Sequence, residues 1–283
     1  MWQANWVARH LAEHLPDADI EIVEITTRGD RTSDLAGLVG MGHFTSELEA
    51  ALLDDRIDVA VHSLKDLPVE DTSGVTIAAI PTREEPSDVV VARAGVRFDD
   101  LPAGARIGTG SPRRTALLRA RRPDLEIVGI RGNVDTRLRK VQDGEYDAIV
   151  LAAAGLIRLG LDGHITDWFG PREFPPAPGQ GALAVQVLDE DSDVRRGVAN
   201  LDDPATRAAT EAERAFLGRL GGGCSLPIGA YGRYEDGELC LLGWVGSVDG
   251  RGAYRAEANG EDPQALARIV ADRLLEAGAK DLL

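Results

Sequence analysis

Three segments between residues 105 and 158 repeat one pattern, in which a short apolar run leads into a junction that contains glycine and arginine. The runs occupy residues 105–108, 125–130 and 147–154, and a helical pattern follows each of them. Strands that alternate with helices in this way form a parallel sheet, whose carboxyl ends lie along one edge. The repetition therefore predicts an α/β fold with an anion-binding site at that edge.

The first junction, GTGSPRR at residues 108–114, resembles a helix start that binds an anion. Pro112 suits the first helical position, and Ser111 is a candidate N-cap. Arg113 and Arg114 then fall in the first turn, beside the positive end of the helix dipole, where an anion would compensate their charge. An ordinary capped helix is the alternative interpretation.

The charge of the chain is distributed unevenly. The protein has 47 acidic and 31 basic residues and a formal charge of −16, which argues against a general surface for nucleic acid or anionic membranes. Residues 106–158 nevertheless contain eleven basic and six acidic side chains. Because Arg131, Arg137 and Arg158 fall at the second and third junctions, they strengthen the prediction of an anion site.

The remaining global features indicate a cytoplasmic protein without metal. The first residues have no signal-peptide pattern, and the longest apolar runs, such as residues 148–156, are too short to span a bilayer. Two cysteines do not make a disulfide framework. The five histidines have no metal-ligand spacing, so no metal site is expected.

Two breaks predict how the chain is divided. Prolines cluster at residues 81–86 and 171–181, where the chain is expected to cross between two α/β domains with a cleft between them. The predicted domains are residues 1–82 with 182–200, residues 87–176, and a small α+β domain at residues 204–283. A strand is expected at residues 20–26, and residues 28–42 form either a mobile lid or an ordinary surface loop.

Two further segments are candidates for chemistry. A buried-strand pattern at residues 59–63 ends in Ser63, and Lys65 and Asp66 follow it. A carboxylate there can pair with a cation or pass a proton, although a surface turn with a Lys–Asp contact fits equally well. Cys224 lies in a triple-glycine loop, where a thiol is either accessible and reactive or simply inert.

Six segments in this order resemble the hydroxymethylbilane synthase family, also called porphobilinogen deaminases, and together they extend over nearly the whole chain. They are VHSLKDLP at 61–68, GTGSPRR at 108–114, IRGNVDTR at 130–137, AAAGLIR at 152–158, PGQG at 178–181 and GGGCSLPIG at 221–229. The resemblance implies two periplasmic-binding-protein-like α/β domains and a small α+β C-terminal domain. It also implies a monomeric, cytoplasmic enzyme that binds neither nucleic acid nor membranes.

The resemblance implies a transferase of porphyrin and haem biosynthesis. Such an enzyme joins four porphobilinogen units head to tail with loss of ammonia, and water then releases the linear tetrapyrrole 1-hydroxymethylbilane. The primer is a dipyrromethane cofactor held by a thioether bond to Cys224. The carboxylate that corresponds to the catalytic aspartate is Asp66, which stabilises the azafulvenium-type cation and assists proton transfer.

The resemblance also assigns the binding residues. The expected cofactor contacts, besides Cys224, are Ser63, Lys65, Thr109, Ser111, Arg113, Arg114, Arg131 and Arg137. The expected substrate contacts are Phe44, Arg158 and Gln180. Each pyrrole unit carries an acetate and a propionate, so a chain of six rings brings about twelve carboxylates, a load that bidentate arginines suit better than scattered lysines.

Two features depart from the family pattern. The family begins with a strand that carries an arginine and a serine, whereas this sequence begins at the Trp-Gln helix that follows such a strand. The family often places lysines in the loop at residues 35–44, where this chain has none and has Gly37 and Met41. Two other hypotheses therefore stay open: an inactive, N-terminally truncated deaminase, and a non-enzymatic two-domain module that binds carboxylates.

Overall fold

The computed structural model describes residues 1–25, 43–190, 192–222 and 226–283, with only the backbone of residues 43 and 44. The helices of these ranges are α1 (Trp2–His14), α2 (His43–Leu53), α3 (Pro112–Arg121), α4 (Val134–Gln142), α5 (Ala153–Arg158), α6 (Asp193–Ala199), α7 (Pro204–Arg219) and α8 (Pro263–Glu276). The strands are β1 (Ala60–Ser63), β2 (Val75–Ala79), β3 (Asp88–Ala92), β4 (Arg106–Gly108), β5 (Glu126–Val128), β6 (Ala148–Ala152), β7 (Asp167–Phe169), β8 (Leu183–Leu188), β9 (Ile228–Glu235), β10 (Glu238–Gly246) and β11 (Ala253–Gly260).

The chain forms two compact units. The first unit contains Met1–Arg83 and Ala182–Arg207, and the second contains Glu84–Gly181 and Ala208–Leu283. The chain therefore leaves the first unit within the predicted break at residues 81–86 and returns at the end of the break at 171–181. The finer division into three domains stays a prediction.

The first unit is built on a three-stranded sheet with the order β1-β8-β2, in which every pairing is antiparallel. Helix α1 packs Val7 and Leu11 into a buried apolar cluster with Val185 and Val187 of β8 and Val198 of α6. Burial of this face of α1 follows from the helical spacing of its apolar residues.

The prediction of a strand at residues 20–26 is wrong for residues 20–25, which the structure describes. Residues 20–25 belong to no strand, and residue 26 lies outside the described ranges. Alternating apolar residues favour a strand, yet a strand also needs a hydrogen-bonding neighbour. Among the described residues none pairs with this segment. The lid or loop predicted at residues 28–42 lies outside the described part of the chain.

A five-stranded sheet with the order β5-β4-β6-β3-β7 organises the second unit. Strand β4 runs parallel to β5 and β6, whereas β3 pairs antiparallel with β6 and β7. The three strands that precede the arginine-containing junctions are therefore parallel and adjacent, with β4 between β5 and β6. The prediction that these junctions share one edge of a sheet is confirmed.

Alternating side chains of this sheet enter two apolar cores. Val90 of β3 and Val150 of β6 contribute to one core, and their neighbours Val89 and Ile149 contribute to the other. Helix α3 packs in the first core and α4 in the second. A sheet that is buried on both faces explains why these strands are continuously apolar in sequence.

The C-terminal sheet, with the order β11-β10-β9, is antiparallel throughout and has α8 packed on it. Its residues Leu242 and Trp244 belong to the same apolar core as Ile107 and Val150 of the five-stranded sheet. The two sheets are therefore joined by one core within the second unit. No helix in the described ranges has the length and hydropathy that a membrane span requires.

Candidate functional site

The first junction forms the capped helix start that its sequence predicts. Ser111 is the N-cap of α3, where its Oγ accepts a hydrogen bond from the Arg114 backbone N–H over 3.4 Å, and Pro112 follows at the first helical position. Thr109 is buried, and its Oγ1 accepts a hydrogen bond from the Ser111 N–H over 3.2 Å. This cap fixes Arg113 and Arg114 in the first turn.

Both of these arginines bind one buried carboxylate. Asp88, the first residue of β3, is 0% exposed and accepts from Arg113 Nη1 through Oδ2 at 2.7 Å. Its Oδ1 accepts from Arg114 Nη2 at 2.6 Å and from Arg114 Nε at 3.0 Å. Gln180 Nε2 donates to the same Oδ1 at 2.9 Å. We call Asp88, Arg113, Arg114 and Gln180 the Asp88 cluster.

The electrostatics of the Asp88 cluster favour a charged carboxylate. Burial alone would raise the pKa of Asp88, but the nearby charges of Arg113 and Arg114 outweigh it and hold that pKa well below its usual range. Burial also lowers the pKa of Arg113, and Asp88 opposes that effect. Two cations and one anion leave the cluster with one net positive charge, which favours a further anion.

One donor of the cluster has no acceptor within the described residues. Arg113 is 3% exposed, and its Nη1 also donates to the Pro175 carbonyl at 2.7 Å, but its Nε is buried without a hydrogen-bond partner. A buried donor left unpaired costs free energy. A ligand carboxylate that reached this atom would remove that cost.

The other predicted arginines differ in their surroundings. Arg137 is half-buried, donates to the Gly132 carbonyl at 2.7 Å, and has its pKa lowered by burial and then by the charge of Arg114. Arg158 donates to the Gly181 carbonyl at 2.7 Å, next to Gln180. Arg131 is exposed and has no ion pair in the described part of the chain.

The candidate catalytic segment lies in the first unit. Strand β1 ends at Ser63, whose Oγ accepts from Gln3 Nε2 at 2.8 Å, and a single helical turn, Leu64–Asp66, follows. The turn is anchored by the buried Leu64, which donates its N–H to the Ala182 carbonyl at 3.0 Å. Lys65 is half-buried and Asp66 is exposed, so this carboxylate is accessible to a ligand.

His62 of β1 is buried beside this turn, with 5% exposure. Burial lowers the pKa of His62 from its ordinary value of 6.5, against the opposing effects of the Glu49 charge, a hydrogen bond with Gln186 and the Asp66 charge. The unfolded chain therefore binds a proton below pH 6.5 that the folded chain does not, and stability falls as the pH decreases through this window.

We expect His62→Gln to remove this acid sensitivity. Between about pH 6.5 and 5.5, the wild-type protein should lose up to about 1.0 kcal/mol of unfolding free energy that the variant retains. Urea unfolding at the two pH values measures the difference. His14→Gln, at an exposed position of α1 in the same unit, is the control and should keep the wild-type dependence. Equal pH dependence in all three proteins would contradict the role of His62.

Two predicted site residues cannot be placed among the others. Cys224 lies outside the described residues, and so does the side chain of Phe44, whose backbone is in α2. Within the second unit the structure brings Arg113, Arg114 and Gln180 together on Asp88.

Sequence reasoning missed Asp88. The signal was an aspartate at the start of an otherwise apolar strand, Asp88–Ala92, which the structure buries completely. A buried carboxylate requires cationic or hydrogen-bonding partners. A carboxylate that stands in a buried-strand pattern without a cation next to it in sequence therefore indicated that some of the arginines elsewhere in the chain bind it.

The comparisons with known proteins agree with the motifs. The family model for the porphobilinogen deaminase dipyrromethane cofactor binding domain matches residues 1–196, and the model for the porphobilinogen deaminase C-terminal domain matches residues 208–276. The predicted dipyrromethane cofactor and the transferase activity of tetrapyrrole biosynthesis, hydroxymethylbilane synthase, are thereby confirmed, as is the α/β fold class.

Two curated relatives match almost the whole chain. The porphobilinogen deaminase of Brevibacillus brevis is 46% identical over 284 residues, which are 99% of this chain and 92% of that protein. The porphobilinogen deaminase of Roseiflexus sp. is 50% identical over 273 residues, which are 95% of this chain and 89% of that protein. The chain therefore belongs to the porphobilinogen deaminase family.

Proposed function

We propose that Asp66 acts on the reacting groups in the hydroxymethylbilane synthase reaction of this chain. Arg113 and Arg114, with Arg131 and Arg137, hold the carboxylates of the cofactor. The Nε–H of Arg113 supports the role of the arginines most directly, because it is a buried donor that has no acceptor among the described residues.

The donors of the second unit fit a dipyrromethane, whose side chains end in carboxylates. Arg113 Nε is without an acceptor, and Arg131 and Arg137 have no carboxylate partner in the described ranges. Two further hydroxyl donors in this unit are Thr109 and Ser111. In the first unit, a hydroxyl and an ammonium donor come from Ser63 and Lys65, which precede Asp66. When bound through Cys224, the dipyrromethane supplies the pyrrole carbon to which porphobilinogen is joined.

Asp66 can serve the reaction in two ways. An accessible carboxylate stabilises the positive charge that develops on porphobilinogen when ammonia leaves. The same carboxylate can accept the proton that the new carbon–carbon bond releases. Neither role requires a metal ion from this chain, since both need only an ionised carboxylate beside the reacting atoms.

The substrate contacts need one revision. Arg158 and Phe44 keep the substrate role that the family pattern gives them. Gln180 is 1% exposed, and its Nε2 donates both to Asp88 and, at 2.6 Å, to the Pro86 carbonyl. Because both N–H groups of this amide serve the protein, we propose that Gln180 orients Asp88 rather than contacting porphobilinogen. Family membership further supports a cytoplasmic monomer that has porphobilinogen as its small-molecule partner.

Intact-mass analysis tests the attachment site. The purified chain should carry an added mass equal to two pyrrole units, and Cys224→Ser should abolish both this adduct and product formation. Cys240→Ser is the matched control because it changes the other cysteine, which is buried in β10, and it should keep the adduct.

An unmodified Cys224 after incubation with porphobilinogen would contradict the proposal. Reversible carboxylate binding without release of ammonia would instead favour a non-enzymatic binding module. The assay is therefore run with both readouts, adduct mass and ammonia, on the same samples.

A further inference from the structure

A second buried carboxylate lies in the second unit, outside the residues discussed so far. Glu213, in the middle of α7, is 0% exposed. Its Oε2 accepts from the Gly179 N–H at 2.6 Å, and its Oε1 accepts from the Gly232 N–H at 2.7 Å. One side chain thus ties a loop before β8 to strand β9. Both distances lie at the short end of the range for N–H···O hydrogen bonds.

The hydrogen bond between Gly179 and Glu213 connects Glu213 with the Asp88 cluster. Gly179 has a φ of +75°, a left-handed conformation that glycine adopts without strain, and Gln180 follows it directly. Gln180 in turn donates to Asp88 and to the Pro86 carbonyl. A continuous series of hydrogen bonds therefore runs from Glu213 through the backbone at Gly179 to the carboxylate that orients both arginines.

We propose that Glu213 is a positioning residue for Arg113 and Arg114. It fixes the backbone that carries Gln180, so that the Gln180 amide holds Asp88 where both guanidinium groups can bind it. The proposal rests on the assignment of these arginines to ligand carboxylates. Glu213 is fully buried, and its effect on a ligand passes through Gln180, which donates to Asp88 and accepts from Arg114 Nη2 at 3.5 Å.

The substitution Glu213→Gln tests this role with little change of shape. A carboxylate accepts with both oxygens, whereas an amide accepts with one and presents N–H groups at the other position. One of the two backbone donors would therefore lose its acceptor, and the segment at Gly179 would be held less tightly.

The main readout is hydrogen exchange of the Arg114 Nε–H, followed by ¹⁵N NMR in the cofactor-loaded protein. This N–H is 3.0 Å from Asp88 Oδ1 on a side chain that is buried, so its exchange reports how firmly the cluster is held. We expect exchange about tenfold faster in Glu213→Gln, as for the loss of one hydrogen bond. The dipyrromethane adduct should form about fivefold more slowly when the apoprotein is incubated with porphobilinogen, while kcat of the loaded enzyme changes less than about twofold.

Asp262→Ala is the matched control. Asp262 caps α8 of the same unit by accepting from the Gln264 N–H at 2.9 Å, and this bond lies outside the Asp88 cluster. Loss of this bond should lower stability while leaving both Arg114 exchange and the rate of adduct formation at wild-type values. If Glu213→Gln does not fold, Gln180→Leu tests the same series, because it leaves the bonds of Glu213 intact.

The outcomes separate the two proposals. Wild-type exchange at Arg114 in Glu213→Gln, or in Gln180→Leu, would overturn the positioning role. Faster exchange with slower adduct formation would support it. Faster exchange with a wild-type rate of adduct formation would support the positioning of Arg114 and would count against its assignment to cofactor carboxylates.

Discussion

Replacing Asp66 by asparagine is expected to lower kcat by about 10²–10⁴-fold, the range that a positioned acid–base group contributes. Asparagine has nearly the same shape but neither the negative charge that stabilises the departing-ammonia transition state nor a site for the proton. Formation of 1-hydroxymethylbilane under saturating porphobilinogen measures the effect.

The covalent adduct should nevertheless form in the Asp66→Asn protein. Cofactor assembly needs only two condensations in the lifetime of each molecule, whereas every product molecule needs four, so slow chemistry still completes the adduct. Asp71→Asn is the control, because it removes one charge from an exposed position five residues away. Its kcat should stay at the wild-type value. A wild-type kcat in Asp66→Asn would remove this residue from the mechanism.

Replacing Asp88 by asparagine should destabilise the protein by about 3–5 kcal/mol, because two buried guanidinium groups then lose their counter-ion. The free energy of unfolding in urea at about pH 7 measures this effect. Since the folded-state pKa of Asp88 is depressed, its contribution is present above the ordinary aspartate pKa of about 3.9 and is lost as the pH falls further. The difference between wild type and variant should therefore narrow below about pH 4.

An exposed ion pair of the same unit provides the comparison for Asp88. Arg121 Nη2 lies 3.1 Å from Asp99 Oδ2, and both side chains are largely exposed to solvent. Asp99→Asn should cost less than about 1 kcal/mol. Equal losses in the two variants would show that the Asp88 cluster contributes no more than a surface pair.

The part of the fold that the sequence predicted well was local. Residues 105–158 contain strands, caps and helices whose signals lie within a few residues of one another, such as Ser111, Pro112 and the helix they begin. The parallel neighbours β4, β5 and β6 then follow from strand–helix alternation. The segment at residues 20–25 shows the limit of this reasoning, because strand formation depends on a partner that the local pattern does not specify.

The supporting residues of the site could not be predicted in the same way. Asp88 binds side chains 25 and 26 positions away, and Glu213 accepts from backbone groups 34 and 19 positions away. Motif spacing identified the candidate ligand-binding residues, since those occur in short runs. It did not identify carboxylates that act on the protein's own arginines, because tertiary packing brings those groups together.

The apolar core shared by Leu242, Trp244, Ile107 and Val150 limits how this protein can be recombined with its relatives. A chimera that took the C-terminal sheet from another member would bring foreign side chains into a core that the five-stranded sheet has shaped. The side chains from the two sheets would then no longer match in volume where they meet in this core. The two sheets are therefore expected to be inherited, and transplanted, as a matched pair.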